Sequence, residues 1–459
     1  MKKLLTLFVG AAALTTLASC GGAKPNFICP DSFDTETPVT IRFWHTMSAT
    51  KLQPTLDEVI GEFQELYPNV TVQHQQVGGY DDVRDQVVQN LGTGDYPNLA
   101  YCYPDHVAIY NEAEITVALD DVIANAKYGL GGSELKFEGP KQEDYIQAFF
   151  EEGKVFGDGL TYTMPFLKST EALFYNKTFF DEHKLTVPTT WDEMWETCAK
   201  IKQIDPKSTP LGYDSESNLF ITLCETYGYP YTSTDSFDFN NEGMRNVMKT
   251  FKENFDKGYF TTEEIFGTYT NGLMTDTSQP SRAYMCIGST AGASYQVNAN
   301  GLFETGVTYV PKATNGKAKV ISQGPSLVLF KNENPQAVLA TWLFTQYLNS
   351  TTVQARFALA SGYLPVTKTA AELKEYQDFL DKAAGNSTGI AALATKVALE
   401  QEKNYYTSAV FIGSAYARDE VASLLKKIMI DQTINSSNAD QKILAYFEEA
   451  IENCEYQAG

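Results

Sequence analysis

The sequence predicts an α/β fold, a mainly parallel-type sheet flanked by helices, followed by an α-rich C-terminal part. Three observations carry that class. Strand and helix patterns alternate between Val39 and Asp105. Strand-like apolar runs return at Ala283 to Ile287 and Ser326 to Phe330. From Pro335 onward the apolar spacing is mostly helical.

Each element follows from its own residues. Val39 to Trp44 is rich in β-branched and aromatic residues and reads as a strand. Lys51 to Tyr67 places Leu52, Leu56, Ile60 and Phe63 on one helical face, and Pro68-Asn69 ends it. Val70, Val72 and His74 alternate as a second strand. After the loop Gly78-Gly79-Tyr80, a helix from Asp81 keeps Val83, Val87 and Leu91 in phase and stops at Gly92. Asn98 to Tyr103 is a third strand, and Pro104-Asp105 opens the next helix. This rhythm means βαβ units. In "TVPTTWDEMWETCAKI", Thr190 and Glu193 form a capping box, so a helix begins at Trp191. Trp195 belongs to the core. Trp191 is either core or a stacking surface facing a ligand. Near the C-terminus, Val421, Leu424, Leu425 and Ile428 share one helical face, and Ile443, Leu444, Phe447 and Ile451 another.

A chain of 459 residues exceeds one compact core and suggests two or three domains. Its formal charge of −22 argues against nucleic acid and against adsorption to anionic lipid. At the N-terminus, Met1-Lys2-Lys3 precedes an apolar run, Leu4 to Ala18, of signal-peptide length. It ends in Leu17-Ala18-Ser19-Cys20, which resembles a bacterial lipobox and implies cleavage before Cys20 and acylation there, an anchor that places the protein on the outer face of the cell membrane. Residues 1–19 are then a lipoprotein signal peptide, and residues 20–38 a flexible tether. The other six cysteines are scattered singly, and mostly unpaired thiols are expected.

Several chemistries lack their motifs. Gly288-Ser289-Thr290-Ala291-Gly292 has the composition of a nucleophile elbow at the wrong spacing. No phosphate-cradling glycine loop and no Cys-x-x-Cys or His-x-x-x-His occurs, so neither cofactor nor metal is expected. The calcium-loop start at Asp238 meets Lys249 where a bidentate Glu is needed. A pair of carboxylates acting as a glycosidase stays open among 57 acidic residues. In parallel sheets ligands sit beyond the carboxyl ends of strands, which here points to Trp44-His45-Thr46, Tyr80 and Tyr103-Pro104-Asp105.

From about Pro38 the chain resembles the extracellular solute-binding proteins of ABC importers, of the carbohydrate type. The resemblance lies in Ile41-Arg42-Phe43-Trp44-His45, "GGYDD" at 78–82, "YPD" at 103–105, "KSTEALFYNK" at 168–177 and "VPTTWDEM" at 187–194. "QGPSLVLF" at 323–330, "SGYLPVT" at 361–367 and "ARDEV" at 417–421 complete it. It implies a two-lobed, Venus-flytrap fold binding its ligand between the lobes, with no reaction catalysed. The lobes are expected to comprise residues 39–145 plus about 283–335, and 146–282 plus about 336–459. Within the family the pattern is most similar to the glycerol-3-phosphate-binding branch. That likeness implies ligand contacts at Tyr80, Asp105, Ser169, Ser289, Gly324, Tyr363 and Arg418, with His45 and Trp191 as further candidates. Asp105 stands where the branch has a glutamate, which leaves room for a different or larger polyol. The implied ligand is a polyol phosphate or a sugar, the implied partner an ABC permease, and the receptor a lipid-anchored monomer. The alternatives are a surface glycoside hydrolase using a carboxylate pair and, third, an adhesion or scaffold lipoprotein.

Overall fold

The computed structural model describes residues 26–233, 236–382 and 385–458. The expected signal peptide and Cys20 lie outside the described residues. Two five-stranded sheets form the centres of two lobes. The first runs in the order Val70–Gln76, Val39–His45, Leu99–Cys102, Ser326–Leu329, Thr163–Pro165. Its first two strands are parallel, Val39 opposite Val70 through His45 opposite Gln76. The helix between them, Gln53–Leu66, starts on Pro54 and buries Leu56, Val59, Ile60 and Phe63, the face expected from their spacing. The second sheet has the order Thr305–Thr308, Glu171–Asn176, Met285–Ser289, Leu211–Tyr213, Phe260–Thr262.

Both sheets are mixed rather than mainly parallel. Ser326–Leu329 is antiparallel to its two neighbours, and so is Glu171–Asn176. Each of these strands enters its sheet straight from a segment crossing between the lobes. Such a strand needs no crossover helix, which parallel neighbours require. The crossing segments, Phe166 to Thr170 and Ser322 to Pro325, are paired through Ser169 and Gln323, whose N–H groups donate to each other's carbonyls at 2.8 and 3.0 Å.

Three expected assignments change. The strand Met285–Ser289, expected to rejoin the first lobe, is the middle strand of the second sheet, and Thr305–Thr308 is at its edge; only Ser326–Leu329 returns. Phe149, Phe150 and Met164, expected in the second lobe, pack in the first core. So do the helices Pro335–Leu348 and Thr351–Ser361, through Trp342, Phe344 and Phe357. The second core instead takes Ser414–Ile430 and Ala439–Ala458, while Ser387–Glu400 packs under the same sheet against Ala172 and Phe174. An apolar run announces burial, but pairing partners far along the chain decide against which sheet it is buried.

The expected tether is also held down from Asn26 onward. Asn26 donates to the Thr116 carbonyl and accepts from the Ala118 N–H, both at 2.9 Å, and Cys29 is buried in the first core. The six cysteines among the described residues are free and buried, as their scatter suggested. No helix among the described residues is long and apolar enough to cross a membrane.

Candidate functional site

A cavity of about 920 Å³ opens between the two sheets. That is the upper part of the usual range for small-molecule sites, roughly 300–1,000 Å³. The first lobe supplies Lys51, Tyr80, Tyr103 and Tyr363. Tyr80 opens the helix Tyr80–Gln89, whose N-terminus is secured by Asp82 accepting the Gly79 N–H at 2.7 Å. Tyr80 and Tyr103 rings lie 4.6 Å apart. The crossing segments supply Ser169 and Gly324. Gly324 has φ +94°, and a Cβ there would stand 2.2 Å from the Leu167 carbonyl oxygen, so only glycine fits this approach of the two crossing segments.

The second lobe presents ends of strands and starts of helices. Ser289 closes the strand Met285–Ser289, and its hydroxyl donates to Ser169 at 3.4 Å. Asp214 to Asn218 lead from the strand Leu211–Tyr213 into the helix Glu216–Tyr227. Glu171 starts the strand Glu171–Asn176 and is buried, accepting from the Tyr213 hydroxyl at 2.5 Å and the Asn218 amide at 2.9 Å. Arg418, half-buried on the helix Ser414–Ile430, donates to the Asn218 side-chain oxygen. Tyr269 and Tyr295, each 62% exposed, stand at the mouth, where Lys51 of the first lobe lies 5.2 Å above the Tyr295 ring.

The lining is acidic, with Glu171, Asp214, Glu216, Glu263 and Glu264 facing only Lys51 and Arg418. Burial pushes the Glu171 carboxyl up to about 7 and Asp214 adds to the rise, while the Tyr213 and Asn218 hydrogen bonds and the Arg418 charge pull it down. Glu263 is also raised to about 7, by burial first and then by Asp214, Glu216 and Glu264. Closely spaced carboxylates resist ionising together.

Of the residues singled out in the sequence, Tyr80, Ser169, Ser289, Gly324, Tyr363 and Arg418 all line this cavity. Asp105 lines an adjoining chamber of about 70 Å³ that shares Tyr103, Gln323 and Arg418 with the main cleft. His45 and Trp191 do not reach either space. His45 is fully buried, its Nε2 2.9 Å from His74 Nδ1 and its Nδ1 accepting the Met47 N–H. Burial, reinforced by His74, lowers its pKa to about 3. It is a neutral core residue.

Trp191 is equally interior, with ring centroids 5.6 Å from Trp195 and 5.0 Å from Phe251. The capping box forms as read, Thr190 and Glu193 bonding reciprocally. It aims the whole face of Trp191, Met194, Trp195, Cys198 and Ile201 at the second core. Trp191→Ala is therefore expected to cost about 3–5 kcal/mol of stability, as large aromatic truncations do, and to leave ligand affinity unchanged. Urea unfolding beside a ligand titration checks both halves.

Sequence reasoning missed Glu171, Asn218 and the acidic group from Asp214 to Glu264. Asp214 follows a strand directly, so the strand-end rule could have found it had the short strand Leu211–Tyr213 been recognised.

The family model described as bacterial extracellular solute-binding protein matches residues 58–384. The sn-glycerol-3-phosphate-binding periplasmic protein UgpB of Escherichia coli K12 is 24% identical over 376 residues, 78% of this chain and 81% of that protein. UgpB of Mycobacterium tuberculosis, solved with glycerophosphocholine, superposes with a TM-score of 0.70 at 19% identity, over 90% of this chain and 98% of that one. The GacH receptor of Streptomyces glaucescens, solved unliganded and with acarbose, gives 0.68 at 17%, over 91% and 100%.

Proposed function

Because this chain belongs to the bacterial extracellular solute-binding proteins, receptors of ABC importers rather than enzymes, we propose that it captures a hydroxyl-rich solute, a sugar or a polyol phosphate of the glycerophosphate kind, between its lobes. On this reading it hands the solute to the transmembrane subunits of the importer, as a monomer held to the membrane by acylated Cys20.

One observation carries the ligand class: a single interlobe cleft combines buried carboxylates, serine hydroxyls, tyrosines and one guanidinium. Carboxylates accept from ligand hydroxyls, and Ser169, Ser289 and Tyr80 both donate and accept. The Arg418 fork suits one phosphate. Five carboxylates against two cations disfavour a phosphomonoester dianion, so a phosphodiester or a neutral sugar is the better electrostatic match. The relatives named above include binders of glycerol-3-phosphate, glycerophosphocholine and acarbose. The glycosidase alternative finds no support among them.

Capture works by differential affinity, the ligand favouring whichever lobe arrangement it touches from both sides. Micromolar binding requires about 8.2 kcal/mol. A melting-shift panel of maltose, maltotriose, sn-glycerol-3-phosphate and glycerophosphocholine tests the class. A ligand at 100 times its dissociation constant should add about 2.7 kcal/mol of stability. A folded protein that no sugar and no glycerophosphate stabilises overturns the reading.

A further inference from the structure

We propose that Glu171 is a positioning residue of the cleft: through Asn218 it aims the Arg418 guanidinium at the ligand. This rests on the reading of Arg418 as a ligand contact. The chain of bonds begins at a carboxylate that is 1% exposed. One of its oxygens takes the Tyr213 hydroxyl and the other the Asn218 amide. Asn218, 4% exposed, gives its other amide hydrogen to the Gln323 side-chain oxygen at 3.0 Å. Both of its donors are then spent, which settles the amide orientation. The remaining oxygen faces Arg418 and accepts from it.

The arrangement has a direction. Only an acceptor at position 171 holds the Asn218 amide in this sense. A glutamine there keeps one acceptor and gains a donor, so it holds both partners only if the Tyr213 bond reverses and the hydroxyl accepts, and nothing then fixes which end of its amide meets Asn218. With the amide free to turn, an NH₂ group can swing toward a cation, and the guanidinium loses its anchor on the cleft wall. Three elements converge on this chain, since Glu171 begins a strand of the second sheet, Asn218 lies in the first turn of the helix Glu216–Tyr227, and Gln323 sits on a crossing segment. Arg418 orientation is thereby tied to the segment joining the lobes.

The same geometry makes the anchor respond to protons. Tyr213, Asp214, Tyr406 and Arg418 are the titratable and charged groups near Glu171, while Asp105, Tyr231, Tyr103, Tyr406, Asp81 and Asp419 lie near Arg418. Burial raises Glu171 to about 7. Ionised, it accepts both hydrogen bonds; protonated, it can accept fewer and donates one. The anchor is complete above about pH 7 and loosens as the pH falls through that value.

The test needs no ligand. The chain has six arginines, so its side-chain Nε–Hε NMR correlations form a small set in which Arg418 is assigned by its absence in R418K. In the full chain the Arg418 resonance is expected to shift with a midpoint near pH 7. E171Q should displace it and abolish that titration, and E171Q/N218D, which puts a carboxylate directly beside Arg418, should bring it back toward the wild-type position. An Arg418 resonance that titrates identically in E171Q overturns the proposal. Should E171Q not fold, a wild-type resonance flat between pH 5.5 and 8.5 overturns it. A protein that passes the NMR test but binds no panel compound refutes the ligand reading and leaves the positioning role standing.

Discussion

Lys168→Met is expected to remove about 3–5 kcal/mol of unfolding free energy, because it strands a carboxylate in the interior. Lys168 is fully buried, and its ammonium donates to Glu152 Oε1 at 2.8 Å, to the Ser326 hydroxyl at 3.0 Å and to the Gly324 carbonyl at 3.2 Å. Those three bonds use all three of its hydrogens. Glu152 is 3% exposed, and its other oxygen accepts from Ser322 at 2.9 Å. The pair ties a first-lobe turn to both crossing segments. Removing only the lysine leaves Glu152 buried without its hydrogen-bonded counter-charge, which costs far more than the pair contributes net. The double variant K168M/E152L should recover most of the loss, since a buried ion pair and a packed apolar pair of similar volume differ little in stability. Urea unfolding of the two variants decides. A single variant within about 0.5 kcal/mol of wild type, the range of an ordinary surface substitution, would show that the interior tolerates the lone carboxylate. Lys168 adjoins Ser169 and bonds to Gly324, two residues lining the cleft, so the single variant should also lose affinity.

Arg418→Ala is the second large expected effect. For a phosphate-bearing ligand it should cost about 2–4 kcal/mol, a thirtyfold to several-hundredfold loss of affinity, because a charge-assisted fork disappears at a desolvated contact. A neutral sugar should lose less than tenfold, as it gives up a single hydrogen bond of about 1 kcal/mol. Arg418→Lys should fall between the two. It keeps the charge but presents a point donor where a planar fork was. Calorimetric titration of glycerophosphocholine and maltotriose separates the classes, and equal, unchanged affinities in Arg418→Ala would remove this side chain from the site. The reciprocal partner, Asn218, explains why the loss exceeds one bond. Without the guanidinium its side-chain oxygen is left buried with no donor.

Local elements were legible in the sequence wherever a short-range rule governs them. The capping box at Thr190, the βαβ start, and the loops at Tyr80 and Tyr103 all depend on residues within a few positions of one another. The cleft residues Tyr80, Ser169, Ser289, Gly324, Tyr363 and Arg418 were legible for a different reason, since each lies in or beside a short stretch resembling a known family. Trp191 was left open because a capped amphipathic helix shows which residues share a face, but not what that face meets. His45 was misjudged on the same ground: the end of a parallel strand is a place for ligands only when the side chain there points out of the sheet, and His45 points into the core.

Alone, then, the sequence determined the alternating elements, the two-lobe likeness and six of the residues that line the gap between the lobes. Tertiary structure decided that Met285–Ser289 belongs to the second sheet, that Trp191 turns inward beside Trp195, and that Glu171, Asn218 and Arg418, separated along the chain by 47 and 200 residues, form one bonded unit. Propensity and capping act across a single turn of chain, whereas the burial of a charge and the partner it finds there depend on what long-range packing brings beside it.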